Sequence, residues 1–224
     1  MKISSQRIIE ILSLTIGIEA CLVMAGWILN IDALTRILPD KINMKFPTAL
    51  MFFFSSIGLY FIFRMVKDNY EISTVVLPGV ALLLFLVMGV IFLANLTNTE
   101  TGLLANLTGM QTGIENLFVV KGTSIYASGS GNPSFITIIN FILFGLTCIN
   151  SLFSSPNRQK IFKYIGWFIM ITSLISIMGY LFSIPALYFE IYNLTPIALN
   201  TAIAFSLLGC GLVIIGKIKT VYEI

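Results

Sequence analysis

Charge is missing from this chain in long blocks, and that constrains its fold more than any motif does. Uncharged intervals run over 46–63, 72–99, 122–157, 164–189 and 191–216, and 11–31 is interrupted only by Glu19. A helix that crosses the hydrocarbon core needs about 20 consecutive apolar residues, and it must bond every backbone N–H and C=O within the segment. Six such helices fit, near 9–29, 47–66, 73–96, 134–154, 160–182 and 196–216. Only 10% of the residues are charged and 57% are hydrophobic, against about 25% charged in an ordinary globular domain. The expected fold is therefore an all-α, polytopic membrane protein forming a single domain over 1–224. The first segment is too long, and at Glu10 and Glu19 too acidic, to read as a cleaved signal peptide.

Orientation follows from Lys and Arg, which are retained on the cytoplasmic side of short loops. With the N-terminus inside, the inner set is Lys2, Arg7, Arg64, Lys67, Arg158, Lys160, Lys163, Lys217 and Lys219, and the outer set only Arg36, Lys41, Lys45 and Lys121. Both termini are expected in the cytoplasm of a multi-pass cell-membrane protein. Trp27, Tyr180 and Tyr188 then fall near the outer interface, and Tyr70, Tyr164 and Trp167 near the inner one, where amphipathic rings settle. The net charge of +3 is this inside bias and needs no nucleic-acid partner.

The even-numbered segments share wording. Aligned on a threonine they read "TALMF" (48–52), "TIINF" (137–141) and "TAIAF" (201–205), followed at equal spacing by Ser56 and Gly58, Gly145 and Thr147, Gly209 and Gly211. The odd segments end in "MAGW" (24–27), "MGVIF" (88–92) and "MGYLF" (178–182). The chain thus reads as three helical hairpins tipped outward, each return helix introduced by a proline, Pro47, Pro133 or Pro196, which the first turn of a helix tolerates. The middle hairpin carries the extra outer loop, 97–133. Within it, 112–120 is expected to lie as a short amphipathic segment on the bilayer.

Two stretches, "GWILNIDALTRILPDKINMKFPTALMFFFSSIGLYF" (26–61) and "GYLFSIPALYFEIYNLTPIALNTAIAFSLLGCGLVI" (179–214), resemble the N-terminal multi-pass membrane-sensor (MASE-like) regions of prokaryotic histidine kinases and diguanylate cyclases. The matching positions are Gly26, Trp27, Met44, Pro47, Thr48, Ala49, Leu50 and Phe52, and again Gly179, Tyr180, Pro196, Thr201, Ala202, Phe205 and Gly209; the middle hairpin departs most. The resemblance implies a sensory input module and, in cis, a cytoplasmic kinase or cyclase output domain, which these residues do not contain. It implies the fold and role rather than a ligand. The chain is expected to be either the sensor part of a longer protein or a stand-alone relative.

Much chemistry is excluded. The chain has no histidine, so imidazole-ligated haem, a histidine metal site and a phospho-accepting histidine are absent. No mid-membrane lysine offers a retinal Schiff base. Cys21, Cys148 and Cys210 all fall inside expected helices, which argues against a disulfide framework. No nucleophile elbow, metalloprotease motif or phosphate loop occurs. Neither an enzyme nor a cofactor is expected. The triplet "NLT" at Asn95, Asn106 and Asn193 matches a glycosylation sequon, which in a prokaryotic chain is expected to be coincidental.

Glu19 is the one ionisable residue in mid-helix, and a carboxylate there normally faces a watery cavity or a polar partner. Asn140, Thr147, Asn150 and Asn200 are the expected partners. Glu19, Trp27, Asn140, Tyr180 and Asn200 are the candidate ligand-binding residues, for a small hydrophobic ligand delivered from the bilayer. The alternative is that Glu19 serves only as protonated glue between helices or protomers. At the other end Gly209 and Gly211 permit close packing, and Lys217 and Lys219 mark the inner interface. Beyond them Ile218, Val221, Tyr222 and Ile224 recur near the helical period, so residues 217–224 are expected to start a signalling helix that pairs in a homodimer. Two further function classes stay open: a small carrier or channel using Glu19, and a structural assembly subunit.

Overall fold

A segment that is apolar on every side has to satisfy its own backbone, and helices follow. The computed structural model describes residues 5–38, 41–68, 70–96, 133–153, 155–188 and 196–218. Its elements are α1 (Ser5–Leu29), a one-turn α2 (Asp32–Thr35), α3 (Phe46–Asp68), α4 (Ser73–Leu96), α5 (Phe135–Asn150), α6 (Arg158–Leu181), a 3-10 turn (Pro185–Tyr188) and α7 (Leu199–Ile215). No strand occurs among the described residues. The expected outer loop, 97–133, lies outside them except for Pro133.

Four helices, α1, α3, α4 and α6, are long and apolar enough to cross a membrane. The two remaining expected spans are shorter than the charge pattern suggests. α5 has 16 residues and α7 has 17, a rise of about 24 to 26 Å against a hydrocarbon thickness of about 30 Å. The reason is local. Ile197 N–H donates to the Tyr188 carbonyl at 3.1 Å, and Ala198 is extended with ψ 150°, so the backbone ahead of Leu199 is committed elsewhere. Pro47 sits in the first turn of α3 as expected, whereas Pro133 and Pro196 precede α5 and α7; they shape the approach instead of the first turn.

Helices α3, α5 and α7 form the centre and α1, α4 and α6 surround them. Each outer helix packs on two central ones: α1 on α3 and α7, α4 on α5 and α3, α6 on α7 and α5. The outer helices turn Leu14, Ile18 and Leu22, Leu82 and Leu86, and Trp167, Phe168 and Ile171 outward, an apolar surface suited to lipid tails. At the centre the rings of Phe52, Phe141 and Phe205 pack against one another with centroids 4.6 to 4.8 Å apart. All three are fully buried.

The turns after α1 and α6 share one geometry. Ile31 N–H bonds the Gly26 carbonyl at 2.8 Å, and Ile184 N–H bonds that of Gly179 at 2.9 Å. Asn30 and Ser183 supply the left-handed residue, with φ 58° and 54°, that closes a helix C-terminus in this way. The chain then folds over the glycine so tightly that an added Cβ would lie 2.7 Å from Leu34 or Leu187. Trp27 Nε1 donates to the Met44 carbonyl at 2.8 Å, and the Tyr180 hydroxyl donates to that of Ile197 at 2.7 Å. Every one of these pairs is separated by the same 153 positions, as are Thr48 and Thr201. Trp27→Phe and Tyr180→Phe each leave a carbonyl without its donor. Each is expected to cost about 1 kcal/mol, read as reduced resistance to unfolding in detergent micelles; no change in either would show that the donor is redundant.

Candidate functional site

The candidate ligand residues do not gather in one pocket. Glu19 is partly buried on α1, and among the described residues no hydrogen bond or ion pair reaches its carboxylate. Its expected partners are engaged otherwise or stand elsewhere. Asn140, Thr147 and Asn150 belong to α5, which packs on α3, α4 and α6 rather than on α1. Asn140 is fully buried and donates weakly to the Thr172 hydroxyl at 3.4 Å, while its Oδ1 has no partner. Thr147 turns its hydroxyl back to the Phe144 carbonyl, and the Asn150 amide nitrogen is buried without a partner. Asn200 donates to the Thr35 carbonyl at 3.1 Å and caps Thr201 N–H through Oδ1, which ties α7 to the turn after α1. Trp27 and Tyr180 pin the two equivalent turns, and Tyr180 stacks on Tyr188 at 4.4 Å and 15°. These three residues brace the end of the bundle at which α7 begins.

The N-terminal ends of α3, α5 and α7 meet. Thr48, Thr137 and Thr201 line a single small cavity together with Asn43, Lys45 and Ser134. It holds about 10 Å³, space for one water-sized sphere. Ser134 caps α5 by accepting from Thr137 N–H and sharing a 2.7 Å hydroxyl contact with Thr137. Thr48 and Thr201 are 2% and 3% exposed, and neither hydroxyl has a hydrogen-bond partner among the described residues. The three threonines are visible in the sequence as a repeated position; their convergence is not.

Toward the other end the last helix is held closely. An added Cβ at Gly209 would lie 2.6 Å from the Gly166 carbonyl and 2.8 Å from Met170 N, whereas the three atoms nearest one at Gly211 all belong to the Leu59 side chain of α3. The two glycines face different neighbours because residues two apart on a helix point about 200° apart. Below them Gln159 Nε2 bonds the Ile218 carbonyl at 2.6 Å, and Lys217 is exposed. α7 ends at Ile215, and Gly216 to Ile218 follow as a turn rather than as a continuation of the helix; Lys219 and the rest of the expected signalling helix lie outside the described residues. Compared with known proteins, the chain matches no family model, no curated protein and no solved structure.

Proposed function

We propose that the chain is a sensory input module of the cell membrane, built from three outward-tipped hairpins with both termini in the cytoplasm, that relays a membrane-associated signal through α7 to a cytoplasmic kinase or cyclase in a homodimer. The observation that carries this reading is how α7 is held. It is braced at its outer end by Asn200 on Thr35, packed backbone to backbone on α6 at Gly209, and tied at its inner end by Gln159 to Ile218. A rod held in this way moves as one body, and a shift of an ångström or two suffices to bias a two-state output.

The hairpin reading is supported by the 153-residue offset between the first and third turns, by the cyclic packing order and by the central phenylalanines. The same aromatic cluster weighs against a carrier or channel along the axis of the central helices. The test is a chimera in which a cyclase that works as a pair of protomers follows Ile224. Inserting one residue after Lys219 rotates the exit by about 100° and is expected to abolish or invert regulation, while inserting seven largely restores it. Equal activity at every insertion length would show a flexible tether and end the relay model.

A further inference from the structure

We propose that the cavity at the outer ends of α3, α5 and α7 is an oxyanion site, receiving one oxygen of a carboxylate or phosphate group between Thr48 and Thr201. The two hydroxyls are the first ground. Both side chains are more than nine-tenths buried, both line the cavity, and both lack a hydrogen-bond partner among the described residues. Neither hydroxyl oxygen is sealed off as a fully buried, unpartnered atom, so both are open to donate to an acceptor that enters the cavity. Thr137 differs, since Ser134 already engages it.

The field in the cavity is the second ground. Three helices of 23, 16 and 17 residues begin there, and each N-terminus carries about half a positive charge, part of which is met at α5 by Ser134 and at α7 by Asn200. Lys45 adds a full charge, and among the described residues no carboxylate lines the cavity. An occupant therefore meets positive potential from the helix starts and from Lys45, beside apolar walls of Ile42, Pro133, Pro196 and Ile197, which favours an anion over a water. Size selects the mode of binding: one oxygen fits inside. Asn43 and Lys45 are partly exposed where the threonines are buried, so the remainder of the group faces out past them. A soluble oxyanion and a lipid headgroup phosphate present the same oxygen.

This inference rests on the cavity alone and is independent of the relay proposed above. Trp27, bonded to the carbonyl of Met44 beside Lys45, serves as the reporter in a Trp167→Phe background. The full chain in a phosphate-free sugar detergent is titrated with sodium phosphate and with sodium acetate, each replacing chloride at constant ionic strength. A saturable change in Trp27 fluorescence is expected with at least one of them. The pair Thr48→Val and Thr201→Val is expected to raise the half-saturating concentration about tenfold or more, and Lys45→Gln to raise it less. Thr48→Ser with Thr201→Ser keeps both hydroxyls and loses only the methyl groups, and it should retain binding even where the valine pair folds poorly. Added phosphatidylglycerol that competes with the free anion identifies a headgroup as the occupant; no competition identifies a soluble one. Absence of saturation with both anions, or equal saturation in the serine pair and a folded valine pair, overturns the site.

Discussion

Phe52→Ala is expected to cost about 3 kcal/mol of stability, toward the lower end of the range for deleting a buried phenylalanine in a water-soluble core. Two terms make up that range, and only one survives in lipid. Separated helices stay among hydrocarbon tails, so the water-to-core transfer contributes little; what remains is the loss of packing and the cavity left behind. At Phe52 that loss is large because the ring is 1% exposed and meets Phe141 at 4.8 Å and Phe205 at 4.6 Å. Equilibrium unfolding in mixed micelles, titrated with a denaturing detergent, measures it. Phe168→Ala is the comparison, since that ring is 44% exposed on the outer face of α6 and should cost no more than about 0.5 kcal/mol. Equal losses for the two would mean that the central aromatic cluster does not hold the bundle.

Gly209→Ala is the second large effect, and its sign is informative. On helix propensity alone, alanine should stabilise by up to about 1 kcal/mol. Here the new Cβ would stand 2.6 Å from the Gly166 carbonyl and 2.8 Å from the Met170 nitrogen, and backbone cannot rotate away as a side-chain end does. α6 and α7 must separate, and their close contact, the main source of attraction between helices in lipid, is lost along the interface. A net destabilisation of about 2 kcal/mol or more is expected. Gly211→Ala should be milder, because its clash is with the Leu59 side chain, whose methyl groups can turn aside. Gly89→Ala on α4 should be neutral or stabilising, since nothing described lies within 4 Å of its new Cβ. An unfolding series that ranks Gly89→Ala as the worst of the three would refute this account of the α6–α7 contact.

Because α7 is also the proposed exit, the same substitution separates stability from coupling. In the chimera, a Gly209→Ala protein that still folds should show a weakened response without loss of basal output. The Gly166 contact would then be a positioning element of the relay and not merely packing.

The membrane character and the helical class were legible in the sequence because hydrocarbon tests each segment by itself: twenty uncharged residues either satisfy their own backbone or do not enter. The recurring threonine, phenylalanine and glycine were legible too, as positions on a helix face. A face, however, does not name its neighbour. Nothing between residues 48 and 205 of the sequence says that Phe52, Phe141 and Phe205 share one centre, or that Thr48, Thr137 and Thr201 share one cavity. Those contacts close over 64 to 153 positions and exist only once the outer helices have set the order around the ring. Glu19 makes the same point in reverse. Its cost in lipid was readable from one helix, but its partner was not, and the asparagines chosen for it stand on α5 or serve a turn. Trp27 and Tyr180 looked like interface aromatics or ligand contacts, and tertiary structure makes them pins for two equivalent turns, because a donor is defined by the acceptor the fold brings to it. Sequence by itself determined which segments are apolar enough to enter lipid; only the tertiary structure decided which helix stands beside which, since lipid offers apolar faces no preference among apolar partners and leaves that choice to the fit of small residues, rings and hydrogen bonds.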